Sequence, residues 1–280
     1  MALSTAVTLA IVECGAHALV APYTLDELLV PSAVAGLRVE PRPNADLVFE
    51  GLTVKIPESR VRTDARGVRH PVPAEPRARD ARRLVCLGDS VVFGWGVEDE
   101  QAFCPLLAAR LGPGWEALNL GVPSYNLVQT VLRYASAEWA ATHVVLLLNA
   151  NDLDAVVNPL HTSAWVRHSA LVRWVASRLA RKSAAESWTV PPRDEAAGLA
   201  ALKRLRQLLE RRGVGLTVAL AHRPVPALRA ALAGVSVVDV SDVLRQLELV
   251  IPGDGHPNAA GHRALADRLA QHAAPASPGG

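Results

Sequence analysis

Leu84-Val85-Cys86-Leu87-Gly88-Asp89-Ser90 is the stretch on which the fold turns. Four apolar residues in a row, too few for a helix and closed by glycine and aspartate, read as a strand buried on both faces. The same grammar recurs at Ala117–Leu120, Val144–Leu148, Leu216–Ala221 and Val235–Val240. Helix-period segments lie near 101–111, 126–139, 165–182, 195–212, 224–232, 241–249 and 258–272. Five apolar strands alternating with helices predict a parallel sheet covered on both sides, so residues 83–272 read as one α/β sandwich.

The 280 residues are 50% hydrophobic, enough for one buried core with an appendage. A net charge of +2, with no Lys/Arg-rich run interleaved with aromatics, points away from nucleic acid as a partner. Cys14, Cys86 and Cys104 form no CxxC pair and no disulfide framework; Cys86, inside an apolar run, reads as a free thiol acting as a small hydrophobe. No HExxH motif or paired cysteine ligands are present, so neither a metal nor another cofactor is expected.

Residues 1–23 are apolar and carry no Lys or Arg, unlike the positive start of a secretory signal. Their length approaches that of a spanning helix, but Glu13 and His17 interrupt it. Two expectations stand: a helix packed on the domain or at an interface, and a membrane anchor. Residues 24–82, rich in Pro and Arg, read as an accessory extension. Leu47-Val48-Phe49 and Leu52–Ile56 are its strand candidates, and Pro71–Arg82 is a linker. Residues 273–280, a Pro/Gly/Ser-rich tail, read as disordered.

Ligands of an open parallel sheet bind beyond the carboxyl ends of its strands, so the polar residues there are the candidates. The first strand runs into Gly88-Asp89-Ser90 and then Phe93-Gly94-Trp95-Gly96. The second runs into Asn119-Leu120-Gly121-Val122-Pro123-Ser124-Tyr125-Asn126, and the third ends in Asn149-Ala150-Asn151-Asp152. Near the chain's end, Gly253-Asp254-Gly255-His256-Pro257-Asn258 leads into a helix with Gly261-His262. Each alone is an ordinary turn. Together they supply a serine, an amide donor, and an Asp and His on one loop, the set that acyl transfer through serine requires. His262, on the helix, reads as a packing or capping residue.

This set resembles the SGNH (GDSL-type) hydrolases. Gly88-Asp89-Ser90 matches the first block, whose serine is the nucleophile, with Val91 where leucine is common. Spacing from Asn119 puts the second block's oxyanion glycine at Ser124. The Gly-x-Asn-Asp block appears as Asn149-Ala150-Asn151-Asp152, which gives the oxyanion role to Asn151. Asp254-Gly255-His256 is one residue shorter than the usual Asp-x-x-His, leaving Asp242 as the reserve partner for His256. Pro41–Asn44 and Thr63–Arg69 also resemble the upstream region of bacterial members that carry an N-terminal membrane helix.

The resemblance implies a flavodoxin-like three-layer α/β/α fold with five parallel strands. It implies a serine esterase acting on a small-molecule or saccharide ester, such as an O-acetyl or short acyl group. Ser90, Asp254 and His256 are its catalytic set, and Ser90, Ser124 and Asn151 its oxyanion hole. An O-acyltransferase using the same residues is the first alternative and a non-catalytic binding module the second. Membrane contact through the N-terminal helix and an envelope-facing location follow from the upstream likeness; the alternative location is the cytoplasm. Within the long excursion 152–194, Trp165, Val172, Val175 and Leu179 share a helical face, with Arg167, Arg178, Arg181 and Lys182 roughly opposite. A packed helix with a solvated basic face and a lid or membrane contact are the two readings of that segment.

Overall fold

The computed structural model describes residues 2–19, 24–49, 56–69, 82–156, 169–172, 175 and 192–272. Its centre is a five-stranded sheet of β5 (Arg82–Leu87), β6 (Trp115–Asn119), β7 (His143–Leu148), β8 (Gly215–Leu220) and β9 (Ser236–Asp239). All neighbours are parallel and the spatial order is β6-β5-β7-β8-β9, the flavodoxin-like arrangement.

Successive residues of a strand point to opposite faces, and both faces here are apolar. Val85, Leu87, Val144, Leu146, Leu148 and Val218 face α5 (Leu127–Ala135), α6 (Glu195–Arg211) and α7 (Pro226–Ala231), meeting Val131, Leu202 and Leu228. Leu84, Cys86, Val145, Leu147 and Ala219 face α4 (Phe103–Leu111) and α8 (Ala259–Ala270), meeting Phe103, Leu107 and Leu265. All six residues of β7 are buried, as a central strand between two helical layers requires. Each buried leucine contributes about 1.5–3 kcal/mol by leaving water.

Upstream, α1 (Ala2–Leu19) and α2 (Thr24–Leu28) precede two antiparallel pairs. These are β1 (Leu29–Pro31) with β2 (Val39–Pro41), and β3 (Asp46–Phe49) with β4 (Ser59–Arg62). Their apolar sides close over Phe93, Val122 and Tyr125, giving a third cluster with Leu28, Leu29, Leu37, Val39, Phe49 and Val61. The expected strand at 47–49 is β3; most of the one at 52–56, nearly all of the 71–82 linker and the 273–280 tail lie outside the described residues.

Two expectations change. Segment 241–249 is two 3-10 turns, Val243–Arg245 and Leu247–Leu249, instead of a helix. Gln246, between the two turns, has extended backbone (φ −80, ψ 117), which breaks the ladder that a helix over this segment would need. Cys86 is not a free thiol: it pairs with Cys104 of α4 in a buried disulfide, with Cα atoms 6.0 Å apart. Among the described residues no helix is long and apolar enough to cross a membrane.

In α1, Val7, Leu9, Ile11 and Val12 are exposed, and Glu13 accepts bonds from Ser169 Oγ (2.9 Å) and the N–H groups of Ala170 (2.5 Å) and Leu171 (3.3 Å). The interrupting charge of the sequence is thus the acceptor for a helical turn of the excursion. The excursion's neck is pinned by the Asp154–Arg193 bridge and by Ala155 N–H on Pro192 O (2.8 Å). Most of its proposed apolar and basic faces lies outside the described residues.

Candidate active site

Each candidate residue sits just past a strand's carboxyl end or on the loop before α8. Ser90 opens α3 (Ser90–Phe93), a single turn capped by Asp89, whose Oδ1 accepts from Val91 N–H at 3.0 Å. Gly94 ends that turn at φ +88; a Cβ there would meet Ala102 at 2.9 Å and Arg69 at 3.1 Å. The second loop lies against this turn. Val122 N–H donates to Gly88 O (3.1 Å), and Asn119 Nδ2 to Val92 O (2.8 Å). Gly121 allows that approach, because a Cβ would lie 2.2 Å from Phe93 N.

Ser124 has φ +68 in the turn closed by Tyr125 N–H on Val122 O. Proline followed by a positive-φ residue is the type II pattern, which explains the glycine that the resemblance leads one to expect there.

His256 Nε2 lies 2.7 Å from Ser90 Oγ, and its Nδ1 lies 2.5 Å from Asp254 Oδ1. The same Oδ1 accepts from His256 N–H at 3.1 Å, and Gly255, at φ +89, turns the chain tightly enough for one carboxylate to serve both groups. That is how the shortened spacing reaches the geometry of the longer one. Asp242 is occupied elsewhere, bonded to Arg268 at 2.7 Å. Behind the loop, Asn258 caps α8 by accepting from Ala260 and Gly261 N–H, while Ile251 N–H holds His256 O at 2.8 Å.

Two buried carboxylates face each other here, Asp89 of the first loop and Asp152 of the third. Burial pushes Asp89 upward, against the pull of Val91 N–H, the Asn149 and Asn151 amides and His256. Burial and the facing Asp89 push Asp152 well above the usual carboxylate range. Asn149 Nδ2 donates to Asp89 at 3.3 Å, and Asn149 N–H donates to Asp152 at 2.5 Å. Asn151 is exposed, and its amide is among the groups that lower Asp89. An amide nitrogen carries two hydrogens, so the group that holds Asp89 has a second one for a substrate oxygen.

His262 is fully buried, and burial lowers its pKa to about 3. It is therefore neutral, with Nδ1 accepting from Phe103 N–H at 3.2 Å. It caps α4, as its place on a helix implied.

The family model of the GDSL-like lipase/acylhydrolase family matches residues 86–264, which contain every candidate above. The chain belongs to this family. As a GDSL-like acylhydrolase it is an ester-hydrolysing enzyme. Among solved structures it is similar to a protein assigned to the G-D-S-L lipolytic family from Desulfitobacterium hafniense, at 14% identity, 68% coverage of this chain, 98% of that one and a TM-score of 0.44. It is also similar to an acetylxylan esterase from Geobacillus stearothermophilus, at 15% identity, 70% and 96% coverage and a TM-score of 0.43. No curated protein matches it.

Two contributors to this acylhydrolase site were not singled out by sequence reasoning. The Trp95 ring lies beside His256 with centroids 5.7 Å apart, and Arg69 reaches the loop that carries Trp95. Both sit in motifs quoted above, but nothing in their spacing ties them to His256. Separately, a cavity of about 590 Å³ at the carboxyl ends of β8 and β9 is lined by Arg223, Arg229, Arg245 and Ser241 among others; Ser90, Asp254 and His256 are not in its lining.

Proposed function

We propose that this acylhydrolase cleaves carboxylic esters through an acyl-enzyme on Ser90, removing an O-acetyl or other short acyl group from a saccharide or metabolite. The observation that carries this reading is the 2.7 Å contact of Ser90 Oγ with His256 Nε2, backed by Asp254 at 2.5 Å. Ser90 Oγ attacks the ester carbonyl as His256 takes its proton; the alcohol leaves with that proton as the carbonyl reforms. Water then attacks the acyl-enzyme, passes its proton through His256, and releases the acid and free Ser90. The oxyanion is held by the N–H groups of Ser90 and Ser124 and by the Asn151 amide.

The Cys86–Cys104 disulfide supports an envelope-facing, oxidising location, because such bonds persist where thiols are not kept reduced.

The test is intact-mass analysis after fluorophosphonate treatment of the parent and of Ser90→Ala and His256→Ala. One adduct is expected on the parent, none on Ser90→Ala and a much slower one on His256→Ala. A folded parent that takes up no label would sink the reading. p-Nitrophenyl esters of increasing length should then show fastest turnover for acetate. A product formed only when an alcohol is added would make the acceptor an alcohol instead of water.

A further inference from the structure

The upstream extension lies outside the residues matched by the family model, yet its Arg69 binds the segment just past Ser90. Arg69 is 2% exposed and follows the hairpin of β3 and β4, its backbone bridged to Thr63 and to Asn119 at the end of β6. Among the described residues, the bonds of its guanidinium all go to the segment just past Ser90. Nη1 donates to Phe93 O (2.8 Å) and Gly94 O (2.5 Å), Nη2 to Val97 O (2.6 Å), and Nε to Asp99 (2.9 Å). The charge is balanced by Asp99, whose side chain is completely buried and which Arg62 also holds at 2.8 Å. The guanidinium stacks over the Phe93 ring at 4.5 Å.

Between the carbonyls that Arg69 grips lies Trp95. Its ring lies beside His256, tilted by 31°, and stands T-shaped to Phe49 of β3 with centroids 4.5 Å apart. Gly96, next in the chain, is pressed between Ile56 of the extension and Ile251 of the histidine loop; a Cβ there would meet them at 2.8 and 2.6 Å. The loop 93–97 is therefore a wedge, held from behind by the extension and touching the general base in front. Without the guanidinium, Phe93 O and Gly94 O would keep only the longer bonds from Asn119 Nδ2 (3.2 Å) and Val97 N–H (3.4 Å), and Val97 O would lose the bond it takes from Arg69, so the loop would be held less firmly.

We propose that Arg69 is a positioning residue: it fixes the 93–97 loop so that Trp95 holds the His256 imidazole in line with Ser90. The proposal rests on the reading of Ser90 and His256 as nucleophile and base. A displacement of about 1 Å in such a pair costs on the order of 10²-fold in rate, so the effect belongs in the chemical step and not in ester binding.

The test compares parent, Arg69→Met, Arg69→Lys, Trp95→Val and the Arg69→Met/Trp95→Val double variant. Each is assayed at a temperature where circular dichroism shows the native fold. Fluorophosphonate labelling rates and kcat and KM on p-nitrophenyl acetate are measured. Arg69→Met should be labelled roughly 10- to 100-fold more slowly, with kcat down and KM little changed. Arg69→Lys should recover part of the rate, and the double variant should be no slower than Arg69→Met. A folded Arg69→Met labelled at the parent's rate overturns the proposal. If Arg69→Met does not fold, Trp95→Val labelled at the parent's rate overturns it instead. A parent that is itself unlabelled overturns the reading of Ser90 beneath the proposal, and that failure is distinct because every variant then stays blank.

Discussion

At the scale of single residues, Asp254 and Asp242 separate cleanly. Asp254 alone faces His256, where a carboxylate fixes the tautomer and stabilises the imidazolium; Asp242 faces Arg268. Asp254→Asn should lower kcat by roughly 10⁴-fold, the loss known for the triad aspartate, while Asp242→Asn stays near the parent. Ester hydrolysis by the two purified variants decides it. Ser124 is the other informative position. A β-branched side chain tolerates its φ of +68 poorly, so Ser124→Val should cost on the order of 1–3 kcal/mol, read from the urea midpoint, whereas Ser124→Gly should not lower it. The candidate serine, amide and histidine were legible because those residue types stand at two strand ends and on the loop before α8. The choice between Asp254 and Asp242 was not, since it depends on the positive φ of Gly255, which spacing does not display.

At the scale of elements, the three central strands were legible because their apolar runs are buried on both faces, and the edge strands β6 and β9 because a shorter apolar run still marks them. The segment 241–249 misled because its apolar spacing suits a helix, while the extended backbone at Gln246 splits it into two short turns. The pairing of Cys86 with Cys104 was equally hidden: it depends on α4 lying across β5, a tertiary fact. Thiol titration of the denatured protein should find one free thiol per chain, Cys14, before reduction, and all three cysteines after it. Three thiols before reduction would refute the link. With 18 residues separating its ends, the bond should contribute about 3 kcal/mol, seen as a lower urea midpoint once it is reduced.

At the scale of the whole molecule, buried titratable groups shape stability against pH. His262 titrates near its ordinary 6.5 when unfolded and at about 3 when folded. The unfolded chain thus binds the proton more readily, so stability is full above pH 6.5 and is lost as pH falls towards 3. The loss is of the order of a few kcal/mol, since each tenfold weakening of proton binding is worth about 1.4 kcal/mol. Asp89 and Asp152 run the other way: their folded pKa values are raised, so their contribution is present in acid and fades as pH rises. Urea midpoints of parent and His262→Gln between pH 4 and 7 isolate the histidine, and the variant should show the shallower acid slope. Equal slopes would remove His262 from the account.

The seam between the extension and the sandwich also bears on how the chain can be cut. Leu28, Leu29, Leu37, Val39, Phe49 and Val61 are what keep Phe93, Val122 and Tyr125 dry. A shortened protein begun at residue 82 would keep Ser90, Asp254 and His256 and every strand of the sheet. It would also present an aromatic face to water beside its own nucleophile, bind an apolar dye there and clump in solution. The matched segment holds the chemistry, but it is not a detachable enzyme.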